Sequence, residues 1–118
     1  MSPHSKNQAA IFDWISELTP EGYRVLDVGC GRGDLLSVLV SKKKIQAMGI
    51  ELSQEKVMAA VSRGLSVHHG NVDEGLSSFL DQSFDLTILS LTIQELANPL
   101  EVLKESLRVS KRVVVVFP

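Results

Sequence analysis

The stretch that decides the fold of this 118-residue chain is Asp27-Val28-Gly29-Cys30-Gly31-Arg32-Gly33-Asp34, in which glycines alternate with other residues. The apolar, β-branched run 24–28 ends at these glycines and predicts a buried parallel strand. A periodic apolar pattern follows at 34–40 and predicts a helix. Glycines at such a strand-to-helix turn let the backbone bend sharply and approach a ligand closely. The stretch therefore predicts a ligand-binding loop, with a purely structural tight turn as the alternative.

Helices and strands alternate along the whole chain. The predicted helices are 7–18, 34–40, 53–63, 76–80 and 98–109. The predicted strands are 24–28, 45–50, 65–69, 84–90 and 112–117. Strands joined by helices of this length imply right-handed crossovers, and hence a parallel sheet covered on both faces. The predicted fold class is α/β, a three-layer open sandwich with a mostly parallel sheet, in which ligands bind beyond the carboxyl ends of the strands.

Composition excludes several classes of protein. With 44% hydrophobic and 22% charged residues, the chain is typical of one globular domain covering residues 1–118. A net charge of -2 argues against a nucleic-acid partner, and we read the basic run 42–44 as a solvated helix end. No apolar stretch approaches the ~18 residues that span a bilayer, and no signal-peptide pattern is present, so we expect no membrane partner and a cytoplasmic location. The single cysteine, Cys30, cannot form an internal disulfide.

Three local patterns make further structural predictions. Ser53 predicts the N-cap of the third helix. Asn98 predicts the N-cap of the last helix, with a proline at the first helical position and Glu101 reaching back to the cap. Trp14, which shares the helical spacing of the first apolar stripe, is predicted to lie in the core or to cover a pocket.

An acidic residue follows the second predicted strand. Glu51 lies 22 residues after Gly29, where an acidic side chain in this kind of fold accepts hydrogen bonds from the two ribose hydroxyls of a nucleoside. The sequence therefore predicts a nucleoside-containing ligand.

The glycine spacing narrows the choice of nucleoside. The loop reads G-x-G-x-G, whereas the dinucleotide fingerprint is G-x-G-x-x-G and holds a pyrophosphate at the helix N-terminus. Asp27 and Asp34 flank the loop and would repel a pyrophosphate while favouring a cationic ligand. S-adenosylmethionine, a nucleoside with a positively charged amino-acid arm, fits both observations. A nicotinamide-dinucleotide domain is the weaker alternative.

These features resemble the signature of the class I S-adenosylmethionine-dependent methyltransferases: an acidic residue, the G-x-G-x-G loop, and an acidic residue ending the second strand. The resemblance implies a Rossmann-like fold with S-adenosylmethionine or S-adenosylhomocysteine as cofactor. Asn71 stands where the family commonly has an aspartate that contacts adenine; its carbonyl oxygen can accept from the adenine amino group, and Val72 can pack on the ring. The expected cofactor-binding residues are Asp27, Gly29, Cys30, Gly31, Gly33, Glu51, Leu52, Asn71, Val72 and Ser90.

Within that superfamily the chain resembles the methionine biosynthesis protein W (MetW) family. The segments that carry the likeness are 24–31, 49–51, 73–76, 83–85 and 90–94. The resemblance implies a role in methionine biosynthesis and an association with homoserine O-acyltransferase. Two functions remain open: a class I methyltransferase, and a non-catalytic regulatory partner of that acyltransferase.

No catalytic residue is assigned from the sequence. The loop after the fourth strand lacks the Asn/Asp-Pro-Pro-aromatic motif of enzymes that methylate amino groups of nucleic acids. Thr92, Gln94 and Glu95 are candidate substrate-side groups, with an ordinary polar loop as the alternative. His68 and His69 are adjacent on a predicted strand and point to opposite faces, so they cannot share a metal ion, and no metal site is predicted.

The fifth predicted strand leads to two further expectations. Methyltransferases of this class usually continue beyond it with a helix and an antiparallel strand pair, so we expect the chain to be truncated after the fifth strand. Because an apolar edge strand without a neighbour invites pairing with another chain, we also expect a homodimer through the fifth-strand edge.

Overall fold

The computed structural model describes residues 3–42, 44–90 and 95–116. Its elements in chain order are α1 (Pro3–Leu18), β1 (Arg24–Val28), α2 (Asp34–Lys42), β2 (Gln46–Glu51), α3 (Gln54–Ser62), β3 (Val67–His69), α4 (Val72–Gly75), a 3-10 turn (Leu76–Ser78), β4 (Phe84–Ser90), α5 (Pro99–Val109) and β5 (Ser110–Val116). The strands form one parallel sheet in the order β3-β2-β1-β4-β5. This confirms the predicted α/β sandwich.

The strand order of the sheet reverses at β1. This strand pairs with β2 on one side and with β4 on the other, so the strand order reverses there. Ligands in open α/β sheets bind beyond the carboxyl ends of the strands at such a point. The glycine loop, which follows β1, lies at this position.

Two apolar clusters, one on each face of the sheet, hold the helices in place. Alternate residues of β1 point to opposite faces, so Val25 belongs to one cluster and Leu26 to the other. The cluster under α1 and α2 consists of Phe12, Ile15, Val25, Leu35, Leu39, Ile45, Leu86 and Ile88. The cluster under α5 and the 3-10 turn consists of Leu26, Val28, Ile50, Leu76, Phe84, Leu89, Val102 and Val109. Burial on both faces explains why the strands read as nearly continuous apolar runs.

The third strand is shorter than the predicted 65–69. Gly64 ends α3 in a left-handed conformation with a φ of 81°, and the N–H of Leu65 donates to the carbonyl of Ala60. Residues 64 and 65 are therefore part of the C-terminal cap of α3, and β3 begins only at Val67.

Residues 73–75, which the sequence indicated as a polar turn, form part of α4. The reason is an N-cap: the side chain of Asn71 accepts a hydrogen bond from the N–H of Asp73 at 3.0 Å. The predicted helix at 76–80 is a 3-10 turn at Leu76–Ser78.

The predicted core position of Trp14 in α1 is wrong, and the predicted cap of α5 is right only in part. The buried stripe of α1 passes through Phe12 and Ile15. Because successive residues of a helix are rotated by about 100°, Trp14 points away from this stripe. It is 58% exposed and belongs to neither apolar cluster. Asn98 is the N-cap residue of α5 and a proline begins the helix, as predicted, but the side chain of Asn98 makes no capping hydrogen bond. Its N–H donates to the Asp73 carboxylate at 2.9 Å, and Glu101 pairs with Lys104.

None of the helices within the described ranges is long and apolar enough to cross a membrane.

Candidate cofactor site

The three loop glycines all adopt left-handed backbone conformations. The φ angles are 73° at Gly29, 60° at Gly31 and 88° at Gly33. For other L-residues this conformation costs roughly 1–2 kcal/mol each. Glycine at these positions thus lets the chain turn from β1 into α2 without that cost.

The end of β2 anchors the loop from the inside. The carbonyl of Ile50 accepts from the N–H groups of Gly29 and Cys30 at 2.8 and 3.0 Å. The carboxylate of Glu51 accepts from the N–H of Gly31 through Oε1 and from the N–H of Ser53 through Oε2, both at 2.8 Å. Since each carboxylate oxygen has two lone pairs, both oxygens retain a position for a ligand hydroxyl.

A cleft of about 240 Å³ opens beside Glu51. Its lining residues are Gly29, Gly31, Glu51, Leu52, Lys56, Asn71, Val72, Asp73, Ser90, Glu95 and Leu96. The predicted residues Leu52, Asn71, Val72 and Ser90 are therefore brought together with Glu51 and two of the loop glycines. The sequence analysis did not identify Lys56, Asp73 and Leu96 as lining residues. Lys56 could have been identified, because it lies in the first turn of the helix that follows Glu51.

A second cleft of about 160 Å³ lies on the other side of the loop. It is lined by Gln8, Phe12, Asp27, Gly29, Cys30, Gly31, Arg32, Asp34, Leu35 and Ser90. The two clefts share Gly29, Gly31 and Ser90, so they flank the same glycine loop. Gln8 and Phe12 come from α1, and nothing in the sequence near the loop indicated their presence here.

A cavity larger than either cleft lies elsewhere. It has a volume of about 520 Å³ and includes residues at the beginning of β1, β2 and β4, such as Arg24, Gln46 and Phe84. That is the opposite end of the sheet from the glycine loop. Arg24 is held there by the carboxylate of Asp85, with its backbone N–H at 2.8 Å and its guanidinium at 3.3 Å. This cavity contains none of the predicted site residues.

Gly33 lines neither cleft, although the sequence grouped it with the cofactor-binding residues. A Cβ atom at Gly33 would collide with the side chain of Leu65 and would lie 3.4 Å from the Cβ of Ala60. The absence of a side chain at Gly33 therefore lets the end of α3 pack against the loop.

Gly49, in β2, is a further glycine on which the site depends. A Cβ atom there would collide with the thiol of Cys30 and would lie 2.9 Å from Leu36. Cys30 is buried over this strand position. The sequence signal that could have identified Gly49 was a glycine inside a strand, which marks a close approach of another chain segment.

Burial changes the charge of the Asp27 carboxyl. Desolvation, and then the negative charge of Glu51, raise the pKa of Asp27 to about 8. Desolvation, with the nearby carboxylates of Asp27 and Glu51, also raises the pKa of the Cys30 thiol to about 12, which excludes a reactive thiolate at neutral pH.

The carboxylate of Asp34, on the other flank of the loop, pairs with the guanidinium of Arg63 at 2.8 Å. The two carboxylates that flank the loop are therefore not both free negative charges, as the sequence suggested. Without a ligand, Asp34 is neutralised by Arg63 and Asp27 by its own proton.

Asp73 ties the segment before α5 to the rim of the larger cleft. Its carboxylate accepts from the N–H of Asn98 at 2.9 Å and from the N–H of Ala97 at 3.2 Å. This places Glu95 and Leu96 along the cleft. Of the three substrate-side candidates, Glu95 thus lies at the site, whereas Thr92 and Gln94 lie outside the described residues.

The two histidines have separate surroundings. The Nε2 atom of His69 lies 2.9 Å from the carbonyl oxygen of Leu52, and His68 meets the ring of Phe79 edge-on. A search of residues 3–42, 44–90 and 95–116 finds no group of three or more His, Cys, Asp or Glu side chains that could hold a metal ion.

Comparison with known proteins identifies the family. The protein-family model described as "Methionine biosynthesis protein MetW" matches residues 9–118. The chain belongs to the MetW family. A bifunctional methionine biosynthesis protein MetXA/MetW from Rhodopirellula baltica is 37% identical over 112 residues, which cover 88% of this chain and 18% of that protein. A ubiquinone biosynthesis O-methyltransferase from Pseudomonas fluorescens is 28% identical over 105 residues, covering 84% of this chain and 45% of that enzyme.

Solved structures place this MetW chain among methyltransferase folds. A S-adenosylmethionine-dependent methyltransferase from Thermotoga maritima shares 30% identity with a TM-score of 0.72, covering 88% of this chain and 48% of that one. The cyclase SpnF shares 27% identity with a TM-score of 0.77, covering 86% and 40% respectively. This MetW chain thus spans less than half of each of these relatives, and SpnF shows that a similar fold also serves a protein described as a cyclase.

Proposed function

We propose that this MetW chain binds S-adenosylmethionine or S-adenosylhomocysteine across the two clefts that flank the glycine loop. The observation that carries the proposal is the Glu51 carboxylate, which lines the larger cleft at the end of β2 and is oriented by the N–H groups of Gly31 and Ser53. A preoriented carboxylate of this kind suits the paired hydroxyls of a ribose.

The larger cleft suits the adenosine part of the ligand. Glu51 would bind the ribose, while Leu52 and Val72 would pack on the adenine ring. Among the described residues, the side chain of Asn71 accepts one hydrogen bond, from the N–H of Asp73, so its carbonyl oxygen can also accept from the adenine amino group.

The smaller cleft suits the methionine arm. Its lining includes the predicted residues Asp27 and Cys30, together with Gly29, Gly31 and Ser90, which also line the larger cleft. At about 240 and 160 Å³, each cleft falls below the roughly 300 Å³ at which small-molecule sites usually begin, so the ligand would have to span both. A positively charged arm beside Asp27 would favour the ionised carboxylate and offset part of its burial cost.

Isothermal titration of the chain with S-adenosylmethionine and S-adenosylhomocysteine tests this proposal. NAD serves as the control ligand, because it shares the adenosine but carries a pyrophosphate. Binding of the first two ligands without NAD is expected. Binding of NAD alone would favour a dinucleotide domain, and binding of none of the three would overturn the proposal.

Class I methyl transfer is the activity we propose for the bound cofactor, within methionine biosynthesis. The chain's own groups would orient the cofactor, and Glu95 would lie on the side where an acceptor enters. Release of S-adenosylhomocysteine from S-adenosylmethionine, with homoserine and its O-acyl esters supplied as acceptors, tests the activity. If no S-adenosylhomocysteine is released with any of these acceptors, the result counts against methyl transfer in methionine biosynthesis.

A second candidate is a non-catalytic regulatory partner of homoserine O-acyltransferase. The supporting observation is that a relative carries MetXA and MetW in one polypeptide, which holds the two parts together permanently. Mixing the purified acyltransferase with this chain tests the candidate by co-purification and by the acylation rate. If the two proteins do not associate and the acylation rate does not change, the regulatory role is excluded.

We also propose that residues 1–118 form a single domain that acts in the cytoplasm and self-associates through the outer edge of β5. Limited proteolysis tests the first point, since one domain should resist cleavage between its elements.

A further inference from the structure

The C-terminal turn of α3 contacts three consecutive positions of the loop at its exit. Arg63 Nη1 donates to the carbonyl oxygen of Arg32 at 2.9 Å and to the carboxylate of Asp34 at 2.8 Å. Between these two residues, Gly33 receives the side chain of Leu65 at the place where a Cβ atom would otherwise lie. The end of α3 thus holds the loop from the outside, opposite the anchor at the end of β2.

Arg63 itself is fixed by its backbone. It is the C-cap residue of α3, and its N–H donates to the carbonyls at the end of the helix. The next residue, Gly64, takes a φ of 81° and stops the helix there. Because the Cα of Arg63 has this defined position, its guanidinium can reach two acceptors from a single nitrogen, although 40% of the side chain is exposed.

The peptide group that Arg63 contacts is the one that closes the glycine turn. The carbonyl of Arg32 and the N–H of Gly33 belong to the same peptide, and that N–H donates to the carbonyl of Cys30 at 3.0 Å. One end of the peptide is therefore held by α3 and the other by the loop itself. Rotation of this peptide would change the direction of the chain between Gly31 and α2, and with it the wall shared by the two clefts.

We propose that Arg63 is a positioning residue for the cofactor, acting through the Arg32–Gly33 peptide without touching the ligand. The inference rests on the proposed function. Arg63 lines neither cleft, so its effect on the ligand can only be transmitted through the loop.

The test compares three variants. Arg63→Ala removes both contacts, and Arg63→Lys keeps a cation that can reach one acceptor. Arg24→Ala is the matched control, because Arg24 is similarly exposed and is also paired with a carboxylate, but at the opposite end of the sheet.

Two readouts are taken: amide hydrogen exchange at Gly31 and Gly33, and the Kd for S-adenosylhomocysteine, with melting temperature as a check on folding. Arg63→Ala should speed exchange at Gly33 and raise the Kd about threefold to tenfold, the range expected for one or two net hydrogen bonds. Arg63→Lys should recover part of the affinity, and Arg24→Ala should change neither readout.

Unchanged exchange at Gly33 in Arg63→Ala would overturn the inference. So would an equal rise in Kd in Arg24→Ala, since that would indicate general destabilisation. If the wild-type chain binds no adenosyl ligand, the proposed function fails, while the exchange comparison still decides whether Arg63 holds the loop.

Discussion

The Glu51 carboxylate lies 2.8 Å from the peptide nitrogen of Gly31 and joins the end of β2 to the turn that follows β1. Because this carboxylate also lines the larger cleft, one side chain both shapes the glycine loop and faces the proposed ligand site. Geometry and affinity are therefore coupled at Glu51, and a substitution there affects both.

Replacing Glu51 with alanine should weaken binding of S-adenosylhomocysteine. The lost charge-assisted hydrogen bonds to the ribose contribute roughly 1.5–3 kcal/mol, which corresponds to about a tenfold to hundredfold rise in Kd. Calorimetry measures the change, with Glu101→Ala, at an exposed position of α5, as control. Since Glu51→Ala also leaves the N–H groups of Gly31 and Ser53 without this acceptor, the melting temperature of each variant is measured as well. Wild-type affinity in a folded Glu51→Ala variant would contradict the assignment.

Asp27 should make the fold less stable as pH rises. Its pKa is raised from 3.8 to about 8, so between these values the folded state holds a proton that the unfolded state has released. The free energy of unfolding must then fall as pH increases from about 4 to about 8. Asp27→Asn, which keeps a neutral side chain of the same shape, should lose this component of the pH dependence and be more stable than the wild type at pH 8.

Urea unfolding at pH 5, 6, 7 and 8 measures the effect. Glu101→Gln, an exposed carboxylate on α5, is the control and should follow the wild-type slope. Parallel curves for wild type and Asp27→Asn would show that Asp27 is ionised in the folded chain at neutral pH.

A methyl group at Gly49 should destabilise the chain. Gly49→Ala forces the new Cβ against the thiol of Cys30 and the side chain of Leu36, and overpacking of this kind costs about 1–3 kcal/mol. Gly70→Ala is a matched control, because the nearest atom to its Cβ is a ring carbon of His68 at 3.4 Å. Thermal unfolding compares the two variants. An equal, small loss of stability in both would mean that Cys30 can move away from β2.

Removing the Asp73 carboxylate should loosen the segment before α5. Asp73→Ala leaves the N–H groups of Ala97 and Asn98 without their acceptor, so hydrogen exchange at these two amides should accelerate. The neighbouring substitution Glu74→Ala keeps that contact and should leave both amides protected. Slow exchange in Asp73→Ala would show that the segment is held by other contacts.

Sequence reasoning located the sheet, its parallel topology and the segments beside the larger cleft because these depend on local patterns. Apolar runs, the loop glycines and Glu51 at a strand end are visible without knowledge of tertiary contacts. The adjacency of Asp27 and Glu51 also follows from topology, since β1 and β2 pair in parallel.

Contacts between distant segments could not be predicted in this way. The hydrogen bond from the N–H of Asn98 to the Asp73 carboxylate spans 25 residues and takes the place of the reach-back expected from Glu101. Arg63 and Leu65 reach the glycine loop from the far end of α3, so the close packing of Leu65 at Gly33 was not visible from the place of Gly33 in the motif. Trp14 was misplaced because a helical stripe defines a face only to within about one residue, or 100°.

The outer edge of β5 should mediate self-association. β5 is the last strand of the described sheet, and its residues Val113–Val116 are only half-buried. A two-fold antiparallel pairing centred on Val114 would place Arg112 opposite Val116 of the partner subunit, which keeps the cations of the two copies apart. Such pairing would satisfy edge N–H and C=O groups and bury the valines.

Sedimentation velocity over a hundredfold range of concentration should therefore show a monomer–dimer equilibrium. Val116→Lys, at the end of the strand, should shift it to monomer, whereas Lys104→Ala on α5 should not. A wild-type chain that sediments as a monomer at every concentration would exclude the dimer.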